Sequence, residues 1–182
     1  MTQLNLSDNK LEYLNRNLFR SCFHLKSINL ANNQLTHLDD DLFKNQCHLT
    51  DLNLSQNRFT HLAFNRLFRN VNRLQSLNLS NNNFTSECFI NENFNLSKFD
   101  TSLQKLNLSH NQIKEINFIS SVHSMKELNL SHNQIEAIDE QESIFKDMNN
   151  LIELDLSNNQ LKAITYYNIF IYFLMNLLPE PF

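Results

Sequence analysis

The sequence predicts an α/β solenoid, in which short parallel strands of successive repeats form one curved sheet on the concave side. Three observations support this prediction. A pattern of leucines recurs along the chain, each copy alternates apolar and polar residues as a strand does, and an asparagine follows each copy at a fixed distance. Glycine is absent from all 182 residues, and this excludes the glycine-rich loops that bind phosphates or expose a catalytic nucleophile.

The repeated unit has the pattern LxxLxLxxNx followed by one more apolar residue. Six full copies, among them LQSLNLSNNNF and LIELDLSNNQL, begin near residues 25, 49, 74, 103, 125 and 151, and a truncated copy opens the chain. A single repeat cannot bury its apolar face, so neighbouring repeats must cover it. We therefore predict one domain over residues 1–182, with a degenerate C-terminal end at 171–182.

The LxL segment of each repeat is predicted to be a short strand whose leucines face the core, because side chains alternate between the two faces of a strand. Neighbouring strands of the sheet should lie ~4.8 Å apart. The return segments should be irregular or contain short helices. They carry a second apolar column, which we interpret as a core row of phenylalanines: Phe19, Phe43, Phe68, Phe145 and Phe170, with Ile119 and Val122 in the repeat that lacks one.

An asparagine follows each strand, where the chain turns inward. Its amide carries two donor hydrogens and an acceptor, which can satisfy backbone groups that are otherwise buried and unpaired. Asparagine also tolerates a left-handed backbone, which explains how these turns form without glycine. We expect a continuous asparagine ladder along the solenoid: Asn9, Asn33, Asn57, Asn82, Asn111, Asn133 and Asn159.

The period of about 24 residues and the phenylalanine of the return segment resemble the "typical" extracellular class of leucine-rich repeats. That class includes Toll-like receptors, chaoptin, Slit and the small leucine-rich proteoglycans. The resemblance implies a binding scaffold for protein or other ligands at the cell surface or outside the cell, here as a fragment of an ectodomain. The sequence departs from that class in two respects. It lacks the cysteine-rich caps that often end extracellular repeats, and it lacks a membrane span or signalling domain. A cytoplasmic interaction protein and a structural spacer are the alternatives, and three cysteines suit a reducing compartment.

The concave face is the expected binding surface. Most of its outward residues are Asn and Ser, and charged side chains interrupt them mainly in the C-terminal half. We therefore expect a protein partner to bind there, at Lys105, Lys126, Glu127 and Glu153, flanked by His110 and His132. Two alternatives remain open: an unselective solvated face, and an insertion in the longest repeat, at residues 85–102. That insertion contains three phenylalanines, which either bind a partner or fill the core on the convex side: Phe89, Phe94 and Phe99.

We expect no catalytic site, cofactor or metal. Histidines recur at equivalent positions, as His24 with His48 and His110 with His132, and we interpret these pairs as repeat duplication rather than as metal or pH-sensing sites. A zinc site of these first two histidines with Cys22 and Cys47 fits no known spacing.

Charge and hydropathy narrow the partner classes. A net charge of −4 gives no electrostatic case for nucleic acid, and the most apolar stretch, at residues 163–178, is too short to insert into a membrane.

The arginines at 58, 66, 69 and 73 are interpreted as a solvated face. The sequence shows no capping segment that would cover the apolar side of the first repeat. End-to-end self-association is therefore a further expectation. Seven N-x-[ST] sequons start at Asn5, Asn53, Asn78, Asn83, Asn95, Asn107 and Asn129, and five of them are by-products of the strand motif.

Overall fold

One parallel sheet runs through the described chain. The structure, a computed structural model, describes residues 1–90, 96–119, 122–138, 145 and 148–162. Within these residues, seven strands of three residues pair in chain order: β1 (Gln3–Asn5), β2 (Ser27–Asn29), β3 (Asp51–Asn53), β4 (Ser76–Asn78), β5 (Lys105–Asn107), β6 (Glu127–Asn129) and β7 (Glu153–Asp155). The predicted solenoid is confirmed.

The register places equivalent residues of successive repeats side by side. The central residue of each inner strand lies in the core, as Leu52, Leu77 and Leu106 show with 1–2% of their surfaces exposed. The first and third residues of each strand therefore lie on the opposite face of the sheet, which we call the concave face. The β1 residue Leu4 is only partly buried, because no repeat covers it on one side.

Short helices and turns make up the return segments. Helix α1 covers Phe64–Leu67 and helix α2 covers Glu87–Ile90, while 3₁₀ helices cover Leu96–Phe99 and Asn117–Ile119. Phe64 and Leu67 are buried, so α1 turns its apolar residues toward the sheet. These short helices and turns agree with the sequence prediction that the convex side is irregular or contains short helices.

The phenylalanines of the return segments form a row in the core. The rings of Phe19 and Phe43 stack with centroids 5.8 Å apart, and those of Phe43 and Phe68 with centroids 5.9 Å apart. Phe145 is buried as well, Ile119 and Val122 are buried in the shorter repeat, and Phe170 lies outside the described residues.

The insertion contributes to the same core. Phe99 packs edge-on against Phe68, with ring centroids 5.8 Å apart, and so continues the row. Phe89 stacks on Phe118 with a centroid distance of 4.0 Å. Both Phe89 and Phe99 are buried, and Phe94 lies outside the described residues. Phe89 and Phe99 therefore pack in the core on the convex side.

The ladder asparagines join neighbouring repeats through their side chains. The Nδ2 of Asn111 donates to the carbonyls of Leu108 and Ser109 in its own repeat and to that of Leu79 in the preceding one, at 3.0–3.2 Å. Its Oδ1 accepts the N–H of Phe84 at 3.0 Å. The same four kinds of bond recur at Asn33, Asn57, Asn82, Asn133 and Asn159. Asn9, at the open end, donates only to two carbonyls of its own repeat.

The left-handed residue of each turn stands one position before the ladder asparagine. Its φ lies between 52° and 60° in every repeat, at Asp8, Asn32, Gln56, Asn81, His110, His132 and Asn158. The expectation that the ladder asparagine supplies this conformation is therefore wrong. The turns form without glycine because short or polar residues occupy this column, and Asn, Asp and His tolerate positive φ best among residues that have a Cβ.

Candidate partner-binding face

Three charged side chains of the predicted site lie in one row across adjacent strands. Lys105, Glu127 and Glu153 are the first residues of β5, β6 and β7 and are partners in the sheet register. The Nζ of Lys105 lies 2.7 Å from Oε1 of Glu127, so these two charges neutralise each other. The Glu153 carboxylate forms no ion pair within the described residues. The row therefore ends on an unpaired negative charge.

Lys126 lies just before this row, and its side chain is exposed. Its backbone carbonyl accepts the N–H groups of Ile152 and Glu153, at 2.8 and 2.9 Å. The backbone beneath the charges is thus held by the sheet, and rigid positioning lowers the entropic cost of binding a partner.

Asp155 extends the negative charge along β7. It takes the place of the asparagine that ends each earlier strand and is the register partner of Asn129. The backbone N–H of Ser157, 2.9 Å from Oδ1, holds the pKa of Asp155 below its ordinary value. Asp155 is therefore ionised at neutral pH, on the same face of β7 as Glu153.

Ile152 stands directly before β7, and it is the apolar member of the column of residues that precede the strands. Its side chain is 74% exposed, the highest value among the exposed large hydrophobic residues described. The sequence analysis did not include Ile152 in the expected binding site. The sequence already distinguishes Ile152, because the equivalent residues of the other repeats are all polar or charged: Thr2, Lys26, Thr50, Gln75, Gln104 and Lys126.

A row of asparagine amides borders these side chains. The Oδ1 atoms of Asn53, Asn78, Asn107 and Asn129 each accept the N–H of the residue two positions on, at 2.9–3.0 Å. Their Nδ2 groups make no hydrogen bond to any described residue. The concave face therefore presents amide donors at intervals of ~4.8 Å. Among the sequons outside the strands, Asn83 is exposed and Asn95 lies beyond the described residues.

His110 and His132 lie at the rim of the face, in the left-handed column. Their rings stack with centroids 4.0 Å apart and planes inclined by 10°. Asn158 continues the contact, with its Nδ2 3.1 Å from Nε2 of His132. The two histidines therefore flank the charged row rather than lie within it.

The arginines of the third repeat pair with the acidic loop of the second. Arg66 lies 3.2 Å from a carboxylate oxygen of Asp40, and Arg69 pairs with Asp41. Arg16 of the first repeat also reaches Asp41, at 2.5 Å. Apart from Asp41, which is 21% exposed, these side chains are largely exposed, so each pair contributes little stability, and the carboxylates offset the charges of Arg66 and Arg69.

The duplicated histidines and cysteines do not converge on a metal site in the described part of the chain. The rings of His24 and His48 stack with centroids 6.2 Å apart, and Cys22 and Cys47 are free thiols. Within the described residues, no three His, Cys, Asp or Glu side chains come together in an arrangement that could hold a metal ion.

Family comparisons agree with this architecture. A model described as "Leucine rich repeat" matches residues 23–84, "Leucine Rich repeats (2 copies)" matches residues 101–143 and 123–168, and "Leucine Rich Repeat" matches residues 73–96. No curated protein matches the chain at the level of sequence. Among the described residues, no helix is both long enough and apolar enough to span a membrane.

Solved structures show the same fold. A leucine-rich-repeat protein of Leptospira interrogans is 31% identical with a TM-score of 0.75, over 89% of this chain and 38% of its own. TLR13, solved in a complex with ssRNA13, is 27% identical with a TM-score of 0.77, over 92% of this chain and 23% of its own. Internalin C2 of Listeria monocytogenes, at 20% identity and a TM-score of 0.60, shows the fold alone.

This chain spans less than two fifths of the length of the first two structures. The repeat pattern, the seven parallel strands and the family matches agree along most of the sequence. The chain belongs to the leucine-rich-repeat family.

Proposed function

We propose that this chain is a recognition scaffold that binds a protein partner through the C-terminal half of its concave face. The binding residues of this proposal are Lys105, Lys126, Glu127 and Glu153, with His110 and His132 at the rim. Leucine-rich repeats commonly serve protein recognition, and the proposed surface lies on β5 and β6, which pair with a strand on each side, and on β7, which pairs with β6. Binding rather than catalysis is the role proposed.

The observation that carries the proposal is the uneven charge of the concave face. Charged residues converge on β5, β6 and β7, whereas β1 to β4 and the residue before each of them carry Lys26 and Asp51, with Asp8 in the rim column of the first repeat. Electrostatic complementarity selects partners and raises association rates. A face with one charged end therefore favours one end as the site of recognition.

A protein partner suits this charge pattern better than a nucleic acid. The ammonium group of Lys105 is engaged with Glu127, and the carboxylates of Glu153 and Asp155 would repel phosphates. The ssRNA13 bound in the TLR13 structure is a property of that protein. We therefore propose protein recognition, and RNA binding is an outcome that the experiment below can detect.

We place this recognition outside the cell or at its surface, as part of a receptor or adhesion ectodomain. The support is the likeness to the "typical" extracellular repeats, together with the exposed sequon at Asn83, which would accept a glycan there. A cytoplasmic interaction protein and a structural spacer are the alternatives. Absence of any specific, saturable partner in the experiment below would favour the spacer.

The test compares proteins captured by the immobilised chain and by charge-reversed variants. The double variant Lys126→Glu with Glu127→Lys should lose specific, saturable partners, while its melting temperature stays within about 1 °C of the parent because surface changes cost little. The matched control, Lys26→Glu with Asp51→Lys, reverses the equivalent charges of the N-terminal half and should retain them. Bound nucleic acid is quantified in the same eluates.

The insertion requires a separate variant. Deleting it would remove the buried rings of Phe89 and Phe99 and so test folding rather than binding. Glu87→Lys changes an exposed side chain of α2 instead. If Glu87→Lys abolishes capture and the charge reversals on β6 leave it intact, the partner binds the insertion and the proposed site is wrong.

A further inference from the structure

At the β7 end of the concave face, an exposed apolar side chain stands beside two carboxylates that form no ion pair within the described residues, although His132 acts electrostatically on Asp155. Ile152 is 74% exposed and stands directly before β7, whose first and third residues are Glu153 and Asp155. The backbone N–H of Ile152 donates to the carbonyl of Lys126 at 2.8 Å, so this exposed apolar side chain stands on a fixed backbone. Such a side chain is a natural anchor for a partner, because its burial removes apolar surface from water at little entropic cost. The charges around it decide which partner fits.

The electrostatic balance of this end is negative, because two cations, Lys105 and Lys126, stand against three carboxylates, those of Glu127, Glu153 and Asp155. Glu127 and Glu153 are direct register partners on neighbouring strands, and like charges in that arrangement destabilise a sheet. Lys105 satisfies Glu127 from the other side, at 2.7 Å, and lies two strands away from Glu153. The depressed pKa of Asp155, caused mainly by the Ser157 N–H, keeps a further carboxylate ionised nearby. A cation supplied from outside would relieve this repulsion.

We propose that this end of the concave face binds a protein segment in which an apolar side chain stands beside a lysine or arginine. The apolar side chain packs against Ile152, and the cation lies between the carboxylates of Glu153 and Asp155. The Nδ2 of Asn129, which has no partner among the described residues, donates to a backbone carbonyl of the segment. The inference rests on the proposed function and specifies the chemistry of its partner.

Arginine fits this position better than lysine. Its planar guanidinium presents several N–H donors in fixed directions and can bond two carboxylates at once. Glu153 and Asp155 are two residues apart on one strand and therefore project from the same face. Selected segments should therefore contain arginine more often than lysine.

The probe for this inference is a phage-displayed library of random dodecapeptides, selected on the folded wild-type chain. Enriched peptides should carry Arg or Lys within two positions of Leu, Ile, Val, Phe or Met. The affinity of a synthetic copy, measured by fluorescence anisotropy, should fall at least tenfold for Glu153→Lys and for Ile152→Ser. The matched controls Asp51→Lys and Thr50→Ser make the equivalent changes beside β3 and should alter affinity less than twofold.

Folding of every variant is checked by thermal melting, since both target side chains are exposed and their substitution should leave the melting temperature unchanged. The inference is overturned if enriched peptides are acidic or lack a basic residue, if Glu153→Lys leaves their affinity intact, or if the library yields no peptide above background. Acidic peptides whose binding is lost on reversing Lys126 and Glu127 would overturn this inference alone and leave the proposed function standing.

Discussion

At the level of single residues, the same amino acid has two distinct roles in each repeat. Asn111 is buried and forms four hydrogen bonds that link two repeats. Asn107, four positions earlier, is half-exposed and accepts one backbone N–H from Ser109. Burial and the number of bonded partners separate the roles, because an unsatisfied polar group is costly only where water cannot replace its partner.

Replacing Asn111 with alanine should destabilise the chain far more than replacing Asn107. The first change leaves the buried N–H of Phe84 without a partner among the described residues and removes one of the donors to three carbonyls, at a cost of about 1–3 kcal/mol. The second removes one accessible bond worth roughly 0.5–1 kcal/mol. Urea unfolding of the two variants measures the difference. Equal midpoints would mean that the ladder does not stabilise the fold.

Gln56 offers a test of the left-handed column. A φ of 53° costs a residue with a Cβ roughly 1–2 kcal/mol, and glycine avoids this cost. Glycine also gives up more conformational entropy on folding, which destabilises the folded state by about 0.5–1 kcal/mol. Gln56→Gly should therefore raise the free energy of unfolding by about 0.5 kcal/mol, and Gln56→Val, which is β-branched, should lower it by about 1 kcal/mol. Chemical denaturation distinguishes them, and the reverse order would show that the turn is not strained.

At the level of structural elements, the insertion is tied to the following repeat by a side-chain cap. The Oδ1 of Asp100 accepts the backbone N–H of His123 at 2.8 Å and lies 2.5 Å from Nδ1 of the same residue. These contacts, the backbone bond first, hold the pKa of Asp100 below its ordinary value. The cap therefore favours the ionised carboxylate and fixes the turn after the insertion.

The variant Asp100→Asn should lower the melting temperature at neutral pH, and its difference from the parent should shrink in acid. The folded-state pKa of Asp100 is depressed, so its contribution is present above the unfolded value of about 3.9 and is lost as pH falls through the folded value. Melting curves at several pH values between about 7 and 2 test this. A difference that is constant over that range would contradict an electrostatic cap.

Elements with regular spacing could be predicted from the sequence, whereas those near the insertion could not. The strands and the stack of Phe19, Phe43 and Phe68 recur at nearly constant intervals, so their neighbours follow from the period. Phe99 lies four residues before the next repeat instead of six, and its place in the row depends on how the longer segment folds. The contact of Asp100 with His123 depends on that fold in the same way.

At the level of the whole molecule, the first repeat is covered on one side only. Leu18 is 44% exposed, while its counterparts Leu42 and Leu67 in the next two repeats are 2% and 1% exposed. Asn9 also lacks the two inter-repeat bonds that the other ladder asparagines make toward a preceding repeat. This end therefore presents apolar surface and unpaired polar groups together.

We expect the chain to self-associate through this end in a concentration-dependent way, because burying the exposed leucines removes apolar surface from water. Sedimentation velocity should show a rising average coefficient with concentration, and Leu18→Lys should reduce the rise. Gln75→Lys introduces the same charge at an exposed residue beside β4, in the middle of the sheet, and serves as the control that should leave association unchanged. A monomer at every concentration would contradict this expectation.

The charged half of the concave face could be predicted from the sequence, since the period alone tells which residues point outward. The pairing of those charges could not, because Lys105 could reach several acidic neighbours and only the structure shows it on Glu127. The importance of Ile152 depends on its exposure, and that in turn depends on how the last described strand is covered.

The cross-repeat bonds of the asparagine ladder have a mechanical consequence. Each ladder amide from Asn33 onward bonds to its own repeat and to the one before it, so the repeats are connected like links in series. A tension applied along the axis acts on every interface equally, and the repeats should detach one at a time from an end rather than yield together. Stretched in this way, the chain would lengthen in small steps and act as an extensible tether.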